Sequence, residues 1–279
     1  MSNYYRSLIQ YGATYDADAQ AFLTATGIPN DGTIFFAGTP REITGERYWT
    51  YVNNLVLDFK FYGLWSKMKA IYPIIGGTAF AHKFNLKDPR DLDEAFRLTY
   101  LGGLTHSSTG IVTVGTTGYM NTHFIPANHL TVNDGCWSFY SRTNINENKY
   151  DLGTTGNSPT AFNALIMRFG NGSFYGAFDN NYANSTAVAN SLGMGIVTRH
   201  SANRIKAFKN STKIIDNSNI GYLSNYPFFI LAENNVGVAG NLSNKECAFA
   251  HFSSGLDETE CANLYTIVQT FQTALGRNV

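Results

Sequence analysis

The apolar positions of this chain change period twice, from helical to strand-like and back. Near the N-terminus Tyr48, Val52, Leu55, Phe59 and Tyr62 recur at spacings of four and three, which places them on one stripe of an α-helix. Gly63 interrupts the stripe, Leu64, Met68 and Ile71 resume it, and Pro73 stops it, because the residue before proline resists the α region. The spacing predicts a helix, a kink and a short second helix. Ahead of it, Asp16 to Thr26 reads as a short helix closed by Gly27, a residue suited to the left-handed C′ position. Thr39-Pro40-Arg41-Glu42 then supplies an N-cap, a proline at N1 and a glutamate at N3, which predicts the start of the striped helix. At the other end Asp257 caps, Glu260 stands at N3, and Cys261, Leu264, Tyr265, Val268, Phe271 and Leu275 form an apolar face ending at Gly276.

Between these ends, from Ile74 onward, short apolar stretches are broken about every ten residues by Gly, Asn or Asp, the punctuation of an antiparallel sandwich. The clearest hairpin joins Ala164–Phe169 to Ser173–Phe178 around Gly170-Asn171-Gly172, since Asn-Gly supplies positive φ angles. A second joins Ile205–Phe208 to Lys213–Ile215. Further predicted strands are Trp137–Arg142, Gly195–Arg199, Phe228–Ala232 and Ala248–Phe252, while Lys83 to Phe96 reads as irregular. The expected organisation is a helical region over 1–73, a β-sandwich over 74–255 and a helix over 256–279 packed on the sandwich. A striped helix with no obvious partner in a sandwich also predicts an interface.

Composition narrows the function classes. Charged residues make up only 14% of the 279, and the formal net charge is zero, so no long-range field draws the chain to nucleic acid or anionic lipid. No apolar run approaches the roughly 20 residues of a membrane span, and the first residues do not read as a secretory signal. Synthesis in the cytoplasm is the expectation. Cys136, Cys247 and Cys261 are odd in number and widely spaced, which suits core residues better than a disulfide framework or a zinc site.

Three passages resemble the laminin-G-like, or concanavalin-like, jelly-roll family: Ile205 to Asn210, Phe228 to Leu231, and Cys247 to Phe252 leading into Leu256 to Tyr265. The resemblance implies a jelly-roll sandwich. A second resemblance is carried by Leu8 to Tyr11, Asp18 to Phe22, Leu64 to Pro73, Asn85 to Asp93 and Val268 to Arg277. These runs are similar to those of uncharacterised structural proteins of bacteriophages infecting Bacteroidetes-type bacteria. That likeness implies a virion component made in the host cytoplasm, with other virion proteins and further copies of itself as partners. It carries no functional residue with it.

Concanavalin-like folds include glycoside hydrolases, which need two carboxylates about 5–9 Å apart. Between Gly102 and Phe252 the acids are Asp134, Glu147, Asp151, Asp179, Asp216, Glu233 and Glu246, and only Glu147 and Asp151 lie close in sequence. On a regular strand they would share a face about 13 Å apart, too far for a retaining pair, and they read as solvated acids beside the Asn144–Asn148 turn. Thr105-His106-Ser107 and Arg199-His200-Ser201 put His beside Ser, but adjacency is not a triad. The expectation is a non-enzyme. Tyr175, Asp179 and Tyr182 are the candidate ligand-binding residues, for tyrosines stack on sugars, so a host-surface glycan is a second expected partner. Tyr222 lies in a similar setting, and Trp65 and Trp137 read as packing. Polysaccharide cleavage ranks third. No cofactor is implied, although Asp179, Asn180 and Asn181 offer oxygens of the kind calcium takes. The same aromatics also read as cross-strand packing and the same Asn residues as turns.

Overall fold

The computed structural model describes residues 15–36, 42–114, 117–156, 161–179 and 184–279. The protein is mainly β, with an antiparallel sandwich flanked by helices from both ends of the chain. One sheet of eight strands runs in the order Thr212–Ser218, Arg204–Lys209, Gly193–Ser201, Gly135–Ser141, Cys247–Ser253, Ile111–Thr113 and Leu104–His106, with Met68–Tyr72 also paired to Cys247–Ser253. The facing nine-stranded sheet has Leu152–Thr155 near its middle, between Phe162–Ile166 and Phe229–Ile230.

Two hydrophobic layers explain why the central strands of the eight-stranded sheet are buried along their whole length. Trp137 and Phe139 point with Phe178, Phe228 and Phe252 into the space between the sheets. Their neighbours Cys136 and Tyr140 face the other way, onto helices α1 (Ala17–Thr26), α2 (Gly45–Phe61) and α3 (Glu258–Ala274). A strand alternates its side chains between faces, so one covered on both sides reads as a continuous apolar run. Gly135–Ser141 and Cys247–Ser253 are accordingly buried at every position, with the polar side chains of Ser138 and His251 hydrogen-bonded to each other.

Both predicted hairpins form. Ile166 pairs with Tyr175 and Ala164 with Ala177 across the Gly170–Gly172 turn, where Gly172 takes φ +84°. Ala207 pairs with Ile215 across a turn in which Asn210 adopts φ +55°.

Three expectations fail for physical reasons. The second helix over Leu64 to Ile71 is instead a turn of 3-10 helix, Trp65–Lys67, followed by the strand Met68–Tyr72. Both faces of that strand are enclosed, with Ala70 and Tyr72 between the sheets and Met68 and Ile71 beneath the helices, and a short doubly buried strand mimics a helical stripe. The striped helix begins not near Thr39, which with Pro40 and Arg41 lies outside the described residues, but at Gly45. Ile43–Thr44 pairs with Ile34–Phe36, which holds Thr44 extended so that its hydroxyl caps the Arg47 N–H at 3.3 Å. The stripe itself, Tyr48, Val52, Leu55 and Phe59, is buried against the chain's own sheet and α3, so it offers no free face for a partner. Tyr62, the last stripe position, lies outside the core at the helix C-cap.

Candidate functional site

Glu147 and Asp151, the pair singled out in the sequence, are neither solvated nor spread along a strand. Residues 142–149 form an irregular segment that folds inward, and Glu147 and Asp151 converge on one hydroxyl: Ser243 Oγ lies 2.9 Å from Glu147 Oε1 and 2.6 Å from Asp151 Oδ1. Lys245 Nζ stands 3.2 Å from each of those carboxylate oxygens. Side-chain exposure is 0% for Lys245 and Asp151 and 9% for Glu147. The remaining oxygens are also engaged, since Met167 N–H donates to Asp151 Oδ2 at 2.6 Å and Asn244 donates to Glu147 from its backbone and its amide. Burial works to raise the Glu147 carboxyl, but the Lys245 charge and the donors from Asn244 and Ser243 outweigh it and hold it below its ordinary value.

The other acids of the sandwich are engaged as well. Asp134 accepts from Gly255 N–H, Asp216 pairs with Arg204 and Lys213, Glu233 accepts from Thr155 and Asn241, and Glu246 pairs with Arg142. The separation expected of Glu147 and Asp151 is not found: the two carboxylates meet at one hydroxyl, buried and with their oxygens occupied.

Of the candidate ligand residues, Tyr175 is partly buried, its hydroxyl accepting from the Asn171 amide at 2.7 Å and its ring set edge-on to Phe169. Asp179 is buried and takes amide donors from Asn184 and Asn219. Donors aimed at a carboxylate do not suit a cation site, and among the described residues no cluster of three or more His, Cys, Asp or Glu is placed to hold a metal. Tyr182, Asn180 and Asn181 lie outside the described residues. His106 pairs with His82 rather than activating Ser107, and His200 and Ser201 are exposed at a strand end. Trp137 packs in the core, and Trp65 lies under Lys87 Nζ at 4.3 Å from its ring.

At one end of the sandwich Ala127, Leu130, Thr131, Val132, Tyr222 and Asn225 border a hollow of about 480 Å³. Tyr222 was legible as an aromatic beside Asn-rich loops. Lys245, within Ser243-Asn244-Lys245-Glu246, was not, because a lone lysine among polar residues reads as surface.

No family model matches the chain, and no curated protein matches it. Solved structures do. The chain is similar to a Trypanosoma rangeli sialidase mutant displaying trans-sialidase activity, at TM-score 0.52 and 10% identity over 79% of this chain and 40% of that one. It is also similar to the Trypanosoma rangeli sialidase in complex with 2,3-difluorosialic acid, at 0.50 and 8% over 80% and 40%. Domain 4 of an extracellular arabinanase from Geobacillus stearothermophilus, in complex with arabinotriose, gives 0.49 and 10% over 71% and 98%. The likeness is one of fold. This chain spans about two fifths of the sialidase length, and identities this low carry no residue roles across.

Proposed function

We propose that this protein is a non-enzymatic structural component of a bacteriophage particle, assembled with other virion proteins and with copies of itself, its sandwich displayed outward. The observation that carries the reading is that four of the sequence runs resembling phage structural proteins meet in space. Arg277 donates to the Pro73 carbonyl, Asn85 bonds the backbone of Lys69 and Ile71, and Lys87 donates to the Trp65 carbonyl. Asp18 pairs with Lys60, whose ammonium lies over the Trp65 ring. Runs scattered from Asp18 to Arg277 thus form one packed unit, as expected if the resemblance reflects a shared structural element. The engaged acids support the non-enzymatic part. Because the α2 stripe is used inside the chain, assembly contacts fall to other surfaces.

Peptide mass mapping of purified particles of the phage that encodes the chain tests this. The protein is expected in stoichiometric amounts; absence from particles, together with a strictly monomeric state in solution, would overturn the reading. The second reading, a glycan-binding adhesin, is favoured by the hollow beside Tyr222. Binding on a glycan array that Tyr222→Ala abolishes would support it.

A further inference from the structure

Burying a lysine ammonium and two carboxylates together is expensive, since each ion loses its hydration and one cation cannot neutralise two anions. Here the arrangement is also ordered for chemistry. Asp151 immediately precedes the strand Leu152–Thr155 of one sheet, and Lys245 stands just before Cys247–Ser253 of the other. The amine is thus held at hydrogen-bond distance from a carboxyl group belonging to the opposite layer, with a second carboxylate and a hydroxyl beside both.

We propose that Lys245 and Asp151 condense into an intramolecular amide that ties the two sheets together, with Glu147 relaying the protons. Glu147 takes a proton from Lys245 Nζ and hands it through the Ser243 hydroxyl to Asp151 Oδ1, and the neutral amine then attacks Cγ of the neutral carboxyl group. The Met167 N–H, already on Oδ2, stabilises the negative charge that develops there, in the manner of an oxyanion hole. Glu147 then takes a second proton from Nζ of the tetrahedral adduct and passes it to Oδ1 by the same route, the hydroxyl of Ser243 bridging the two groups. The Nζ–Cγ bond forms, the Cγ–Oδ1 bond breaks, and Oδ1 leaves as water carrying two protons that began on Nζ. Ammonium plus carboxylate gives amide plus water; nothing is oxidised or reduced, and Glu147 ends as it began. The product removes one positive and one negative charge from the interior and leaves Glu147 on its Asn244 donors. It also closes the chain between residues 151 and 245, which restricts the unfolded state as a disulfide does.

The intact mass of the purified full-length chain, followed by peptide mapping, decides the matter. The wild-type protein is expected to be lighter than its sequence by one water molecule, with a branched peptide joining Asp151 to Lys245. Lys245→Met is expected at full sequence mass, and Glu147→Gln is expected to leave a large uncondensed fraction. Wild-type protein at full mass, with Asp151 and Lys245 recovered in separate linear peptides, would overturn the crosslink whether or not the variants fold. Complete condensation in Glu147→Gln would overturn the role given to Glu147.

Discussion

The guanidinium of Arg277 donates from Nη1 to the carbonyl oxygen of Ile74 at 2.6 Å, joining residues 203 positions apart. Ile74 holds φ +45°, a conformation that β-branched residues rarely take. Nη1 also donates to the Ser108 carbonyl, and the rest of the guanidinium donates to the Pro73 and Ala248 carbonyls and the Gln272 side chain. Burial pushes its pKa down to about 10, yet its donors meet the oxygens of neutral groups throughout. Removing the side chain strands several buried carbonyls at once. Arg277→Met is expected to cost more than about 3 kcal/mol, read as a lower denaturant midpoint with unchanged slope. Arg277→Lys is expected to recover little, because an ammonium cannot reproduce the planar fork. A midpoint near wild type for either variant would refute this.

How far this architecture was legible follows from which signals are local. The two hairpins and the Asp257 cap depend on neighbours a few residues apart, and turn chemistry and capping residues announce them. The strand Met68–Tyr72 depends on Cys247–Ser253, more than 170 positions away, and its double burial erased the alternation that marks a strand. Glu147 and Asp151 were misread for the same reason. Their environment is set by Ser243, Asn244 and Lys245, roughly a hundred positions downstream, and nothing near them in sequence reports it.

Gly45 explains where α2 starts and gives a second test. A Cβ at this position would lie 2.0 Å from the Pro29 carbonyl oxygen, while the Gly45 N–H donates to Thr33 at 2.9 Å. The preceding loop therefore closes directly over the first helical residue. Gly45→Ala, ordinarily favourable in a helix, is expected here to destabilise by about 1–3 kcal/mol through forced backbone movement. Equal or greater stability in chemical denaturation would contradict the packing.

The α3 cap is reciprocal: Asp257 accepts from Glu260 N–H at 2.8 Å and Glu260 accepts from Asp257 N–H at 2.9 Å. Glu260 also pairs with Lys67 at the end of the 3-10 turn. Asp257→Ala is expected to cost about 1 kcal/mol, seen as a drop of roughly 2 °C or more in Tm. The loss should be smaller in Asp257→Asn, which keeps an accepting oxygen; identical losses would argue against the cap.

His82 supplies a pH dependence whose direction the geometry fixes. Only 1% exposed, it accepts the Gly77 N–H on Nε2 at 3.2 Å and meets His106 Nδ1 with its own Nδ1 at 3.0 Å. An accepting Nε2 places the proton of the neutral ring on Nδ1, where it is donated to His106. A second proton would remove the acceptor for Gly77. Burial, then His106, then the nearby Arg277 charge hold the His82 pKa well below its ordinary value, and burial also lowers that of His106, whose ring packs against Tyr100. The unfolded chain thus binds protons that the folded chain refuses. The stabilisation is complete above the ordinary histidine value of about 6.5 and is lost as pH falls from there towards the depressed folded-state value. Tm is expected to fall between pH 7 and pH 5, above the range in which carboxylates with lowered pKa titrate. His123 and His129 are lowered too, so the variant isolates the cause. His82→Gln, which retains an acceptor for Gly77, should lose less stability over that interval than wild type, and parallel curves for the two proteins would assign the acid sensitivity elsewhere.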